Sequence, residues 1–246
     1  MKKNLLMKFR EFSLLRKSFV RPLFVAFLVP ILSVALAMAE GEVVVQLDLE
    51  GLPAGVLAAG TGVAMPISVP NRVTVAEPNQ VAVEENFTNG SGTFEGRSLV
   101  LRKESPDGEC AADFVFAGVG LPNPGIVVFE AEILFETSGQ SGNASINFRG
   151  SKNELLYYLQ IGANGGLLAT AGEASRRIES SLAMETPVKV RIVLDFSAGS
   201  ASLQINSQNI EGTLPLARAE TLRSLGFSIA GNRRAFAVRS VNVTMQ

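Results

Sequence analysis

The 246-residue chain contains no His, no Trp and a single Cys. Without imidazole there is no Ser-His-Asp or Cys-His catalytic machinery and no His-ligated zinc or copper centre, because imidazole is the side chain that titrates near neutrality and binds those metals. One Cys builds neither a disulfide framework nor a Cys-rich metal site. The missing Trp removes the best flat platform for sugars, bases and quaternary amines. Fifteen Phe and two Tyr are the whole aromatic complement, and five of the Phe precede residue 40.

Charge of one sign is scarce only on average. The net charge of -1 combines 22 basic and 23 acidic residues, but residues 1–39 hold seven of the bases (Lys2, Lys3, Lys8, Arg10, Arg16, Lys17, Arg21) and one acid, Glu11. That leaves 15 bases against 22 acids, a net -7, on residues 40–246. An acidic remainder without a basic cluster argues against nucleic acid and against docking on anionic lipid.

The basic stretch runs into the apolar segment Pro22 to Leu36 and ends Ala37-Met38-Ala39. A positive n-region, an apolar h-region and small residues at -3 and -1 predict a secretory signal peptide over 1–39. The chain is therefore expected at the cell surface, in the periplasm or outside the cell. Membrane contact is expected only through this segment, if it stays uncleaved; Pro22 to Ala39 is just at the lower length limit for spanning a bilayer.

What the remainder has in abundance is alternation. Val43, Val45, Leu47 and Leu49 alternate with polar or exposed positions, and so do Ala144, Ile146 and Phe148; Leu155, Tyr157, Leu159 and Ile161; Val188 to Phe196; and Ala201, Leu203 and Ile205. Period two predicts strands with one buried face. Turn formers separate them, among them Pro106-Asp107-Gly108, Asn164-Gly165-Gly166 and Ser197-Ala198-Gly199-Ser200. Only Pro215 to Ser224 reads as helix-permissive, for a turn or two. In the last run, Phe236 and Val238 occupy one parity and Val241, Val243 and Met245 the other, which predicts a bulge near Arg239-Ser240. About a dozen such strands predict an all-β, two-sheet antiparallel β-sandwich. Residues 40–80, broken by Pro53, Pro66, Pro70 and Pro78, read as an edge strand and wrapping loop, and 81–246 as the β-sandwich domain.

Glu85-Asn86-Phe87, the strand Gly125 to Phe135, the stretch Pro187 to Phe196, the hairpin into Ala201 to Asn206 and the closing Val-x-Val strand together resemble the concanavalin A-like lectin/glucanase superfamily, in particular its laminin-G-like jelly rolls. The resemblance implies a jelly-roll sandwich; members include glycan-binding modules, glycoside hydrolases, lyases and adhesion domains, so it implies no single activity. Where members often carry Trp or His, this chain has Thr186-Pro187. The oxygen cluster of the calcium-dependent branch is reduced to scattered Asp107, Asp113 and Asn123, too few for the six to eight ligands calcium prefers, so no cofactor is expected and calcium is left unassigned.

Two constellations stand out. Glu130, Glu132 and Glu136 share one strand parity, and the laminarinase-like branch carries catalytic carboxylates as E-x-D-x-x-E or E-x-D-x-E; here the pattern is E-x-E-x-x-x-E. The plainer reading is a solvated strand face with charges that discourage aggregation. The second constellation joins Glu130 and Glu132 to Asn147 and Arg149 and to Tyr158 and Gln160, the polar parities of three consecutive strands. If those strands pair in order, the six residues form one patch able to bind a glycan or a cell-surface protein; otherwise they are the wet side of a sheet. Cys110 shares its parity with Phe114 and Phe116 and reads as an inert buried thiol. The expected function is an exported binding or structural module without catalysis, the alternative a glycoside hydrolase or lyase using the sheet-face carboxylates. Intact-mass measurement of the exported protein is expected to give a chain beginning at Glu40; a mass that retains residues 1–39 would overturn the cleavage.

Overall fold

A computed structural model of the chain describes residues 41–246 apart from 58–65, 77, 90–91, 106, 119, 136–141, 163, 184–185, 217–220 and 232–233. Residues 1–39, expected to be a signal peptide, and Glu136 therefore lie outside the described residues. In chain order, β1 spans Glu42–Gln46, β2 Gly55–Val56, β3 Arg72–Val75, β4 Gln80–Glu85, β5 Arg97–Lys103 and β6 Cys110–Val115. Next come β7 at Leu121–Pro122, β8 at Ile126–Phe135, β9 at Gly142–Gly150, β10 at Leu155–Gly162, β11 at Gly166–Ala171 and β12 at Ala174–Ser181. The chain closes with β13 at Val188–Asp195, β14 at Ser200–Ile205, β15 at Gln208–Pro215, β16 at Thr221–Gly231 and β17 at Arg234–Met245.

These strands form two antiparallel sheets packed as a sandwich. One, of nine strands, runs β15-β14-β13-β8-β17-β5-β4-β2, with β1 on the far half of β17; the other, of eight, runs β12-β11-β10-β9-β16-β6-β3, with β7 also on β16. No helix occurs among the described residues. The described ends of the helix-permissive stretch are a correction: β15 runs to Pro215 and β16 opens at Thr221, because Leu214, Leu216 and Leu222 are all buried in the core and alternation outranks local propensity, while residues 217–220 lie outside the described residues.

Alternation places the inner faces. From β16, Leu225, Phe227 and Ile229 point inward; from β9, Ala144, Ile146 and Phe148; from β8, Val127, Phe129, Ala131 and Ile133. Aromatic rings tie the sheets together: Phe227 lies 6.1 Å from Phe114, 6.2 Å from Phe129 and 6.3 Å from Phe236, and Phe148 lies 5.7 Å from Phe129 and 6.4 Å from Tyr157. A smaller cluster sits on the outside of the nine-stranded sheet, where Phe87 and Phe94 of the β4–β5 connection cover Val100, Leu134, Ala235 and Ala237. The expected bulge in β17 is present: register against β8 shifts between Arg239 and Asn242, Ser240 has φ +54°, and Val238 and Val241 are both buried.

The stretch before residue 81 contributes directly to the sandwich. Val44, Val45, Leu47, Leu49 and Ile67 are core residues, and Arg97 donates to the carbonyls of Leu49 (3.4 Å), Glu50 (2.7 Å) and Leu52. Register shifts between Val43 and Val45 bury Val44 and leave Val43 outside, so the parity read from the sequence breaks at that point. Replacing Phe227 by Ala is expected to cost about 3–5 kcal/mol in chemical denaturation. Removing Arg191, on the outer face, is expected to cost under about 1 kcal/mol.

Candidate functional site

The two halves of the patch expected from the sequence do not meet. β8 belongs to the nine-stranded sheet, whereas β9 and β10 pair with each other in the eight-stranded one. Glu130 and Glu132 therefore lie on one outer face of the sandwich, and Asn147, Arg149, Tyr158 and Gln160 on the opposite one. The physical reason is that the chain changes sheets between β8 and β9; side-chain alternation reports which residues face the core, not which sheet they face it from.

On the nine-stranded face the carboxylates are occupied by neighbours. Glu130 sits opposite Arg191 and accepts its Nε at 3.1 Å; Glu132 takes Arg239 Nε at 2.7 Å and lies 3.7 Å from Lys189 Nζ. Arg239 is fixed further by the carbonyl of Glu95 at 2.9 Å and by the Phe94 ring, 4.4 Å from its guanidinium carbon. A glycosidase pair needs two carboxyl groups free to meet the substrate, and here each is engaged by a neighbouring guanidinium. The cleft over them, about 290 Å³, is lined by Glu130, Glu132, Lys189 and Arg191 with Gln204 and Ser240.

The eight-stranded face is built differently. Directly opposed residues place Arg72, Asp113, Gly226, Asn147, Tyr158, Thr170 and Ser175 in one row across seven strands, roughly 29 Å at about 4.8 Å per strand. The neighbouring row carries Ala111, Ser228, Ser145, Gln160 and Leu168, with Ser145 and Ser228 hydroxyls 2.6 Å apart. At the middle of the first row, Gly226 has no side chain. A Cβ there would run into Asp113 Oδ1 and lie 2.8 Å from Asn147 Oδ1 and 3.0 Å from its Nδ2, so both side chains lean over the glycine. They form the floor of a hollow of about 510 Å³ whose walls include Arg72, Glu109, Arg149 and Asn153.

Asp113 and Asn147 are each only 7% exposed. Asp113 Oδ2 accepts Arg72 Nε at 2.8 Å and lies 2.7 Å from its Nη2. Burial nevertheless pushes its carboxyl above the usual value, against the Arg72 hydrogen bond and charge and the field of Arg149 that pull it down. Asn147 Oδ1 is buried without a hydrogen-bond donor among the described residues. Such an acceptor costs on the order of 1–3 kcal/mol unless something supplies a donor. Lys103, itself buried, donates to the carbonyls of Asp107 (3.4 Å) and Gly108 and so holds the turn at one end of the hollow.

Of the residues expected to bind, Asn147, Arg149, Tyr158 and Gln160 share this face, and Arg149 and Asn147 line the hollow itself. Arg72, Asp113 and Gly226 were not singled out for it. The signal was there: Asp113 alternates outward between Ala112 and Phe114, and Gly226 is a glycine inside an apolar strand, the mark of a close approach. Arg176 and Arg177 lie in β12, at the edge of the same sheet. Cys110 is buried in the core beside Ala112 and Phe114, its thiol pushed up to about 11 chiefly by burial. Among the described residues, no group of three or more Asp, Glu or Cys side chains could hold a metal.

No family model matches the chain, and no curated protein matches it in sequence. By structure it is similar to a sialidase, with a TM-score of 0.55 and 10% identity over 71% of this chain, and it spans 17% of that sialidase chain. It is also similar to the globular domain of T. cruzi calreticulin, with a TM-score of 0.50 and 7% identity over 71% of this chain and 84% of that domain. These likenesses are of fold, a β-sandwich.

Because the folded chain binds the Asp113 proton more tightly than the unfolded chain does, the stability linked to it is present at acid pH and is lost as the pH rises through the folded value. Parallel thermal melts are expected to show the wild-type chain losing ground to Asp113→Asn between acid and neutral pH. A wild type that gains on the variant over that range would mean the Arg72 pair outweighs burial.

Proposed function

We propose that the chain is an exported, non-catalytic binding module of the concanavalin A-like jelly-roll kind that takes a glycan on the outer face of its eight-stranded sheet. The observation that carries this reading is the pair of buried side chains leaning over Gly226. A carboxylate oxygen and an amide oxygen without a donor converge where a strand offers no side chain, inside a hollow of about 510 Å³. Two convergent acceptors ask for a hydroxyl-rich partner, and the Asn147 amide offers a donor beside them. Tyr158, next in the row, supplies the ring against which a sugar face packs. The reading invokes no metal or cofactor, and export rests on the signal-like residues 1–39.

A panel of oligosaccharides screened by calorimetry is expected to yield a ligand bound saturably and released unchanged. Asn147→Ala and Tyr158→Ala are each expected to weaken it about tenfold or more, close to 1.4 kcal/mol, while Arg191→Gln on the opposite sheet has no effect. Binding that Asn147→Ala leaves intact would move the site elsewhere. Turnover of a panel member, lost on Glu132→Gln, would replace the module with a hydrolase or lyase. A ligand found only among proteins would replace the glycan.

A further inference from the structure

The arginines of the two outer faces are treated differently. On the nine-stranded sheet Arg97, Arg102, Arg191 and Arg239 each pair with a glutamate. On the other sheet Arg72 pairs with Asp113, but among the described residues Arg149 and Arg223 have no ion pair. Both point at the turn that follows β9: Arg149 Nη1 donates to the carbonyl of Asn153 at 3.1 Å and Arg223 Nη1 to that of Ser151 at 3.4 Å. Lys152 stands between them. The one acid beside the turn, Glu154, folds back over Gly150 and accepts the Lys152 backbone N–H at 2.8 Å.

This turn forms one end of the hollow. Arg149 lies opposite Ser224, which lies opposite Val115; Glu109, at the far end, is six residues back along the same strand direction, roughly 20 Å at about 3.4 Å per residue. The hollow therefore has Arg149 at one end, where the Glu154 carboxylate is turned back onto the Lys152 backbone N–H, acceptors in the middle at Asp113 and Asn147, and Glu109 at its distant end. A guanidinium with one N–H spent on a carbonyl and its remaining donors open matches the two oxygens of a carboxylate.

We infer that the glycan unit over Gly226 is an acidic sugar whose carboxylate is taken by Arg149. This rests on the glycan reading above and names the ligand's chemical class. The sugar's hydroxyls meet Asp113 and Asn147, where Asn147 Oδ1 lacks a donor, and its carboxylate reaches toward the turn. Arg223 adds to the field without being asked to touch the ligand.

The test uses the purified full chain and matched oligomers: galacturonate, glucuronate and mannuronate series, each beside its carboxyl-reduced counterpart of equal length. At least one acid series is expected to bind tenfold or more tighter than its reduced form, with an affinity that falls as salt rises. Arg149→Gln should abolish that preference and flatten the salt dependence, Arg149→Lys should restore part of the salt dependence but not the full preference, and Asn147→Ala should weaken the acid form without removing its salt dependence. Reduced or neutral oligomers binding as tightly as acidic ones, or an acid preference that survives Arg149→Gln, overturns this inference and leaves the glycan module standing. Absence of binding by every acidic and neutral oligomer, with a protein ligand bound instead, overturns both.

Discussion

The contact on which the rest depends is the packing of Phe227 between the sheets. Its ring meets Phe114 from its own sheet and Phe129 and Phe236 from the other. In a strand, burying one residue turns its neighbours to the opposite face. Phe227 inside therefore means Gly226 outside, beneath the Asp113 and Asn147 side chains that floor the hollow. The same lock acts on each neighbour: Phe114 and Ala112 turn Asp113 outward, Ile146 and Phe148 turn Asn147 outward, and Tyr157 and Leu159 turn Tyr158 outward. A one-residue slip in any of these strands would exchange core and site together, so the register that fills the interior also assembles the row.

The two outer faces show what the chain does with polar groups it does not need for packing. On the nine-stranded sheet they cancel: Glu130 with Arg191, Glu132 with Arg239 and Lys189. Part of that face is also roofed by Phe87 and Phe94, and Arg239 lies against the Phe94 ring. Cross-strand pairs of this kind contribute little each, but they give Glu130 and Glu132 partners within the sheet. The eight-stranded sheet keeps a desolvated carboxyl at Asp113 and an amide oxygen without a donor at Asn147. Both work against stability, and both converge on the same glycine. Two such costs meeting at one concave place mark it off from ordinary scaffold.

Much of the fold was legible in the sequence because burial imposes period two. The strands at 144–149, 155–161 and 188–195, the inward Cys110 and the β17 bulge all follow from which residues alternate. At residues 221–224, where a local cue was weighed above alternation, the strand pattern prevailed. Pro215 to Ser224 looked helix-permissive, yet Leu214, Leu216 and Leu222 are all drawn into the core. The prolines before residue 81 suggested an edge strand and wrapping loop, and Val44, Val45, Leu47 and Ile67 of that stretch join the interior.

The sequence by itself determined parity: Asn147, Arg149, Tyr158 and Gln160 outward, together with Glu130 and Glu132. Only the tertiary structure decided which outward residues share a face. β8 pairs with β13 and β17 while β9 pairs with β10 and β16, which sends the glutamates to one side and the amides and tyrosine to the other. Strand pairing between residues 57, 79 or 107 positions apart (Glu132 with Lys189, Asn147 with Gly226, Glu132 with Arg239) is set by how two whole sheets close over one core, and no local pattern carries that. For the same reason Asp113, Asn147 and Gly226, distant along the chain, become neighbours only when β6, β16 and β9 lie side by side.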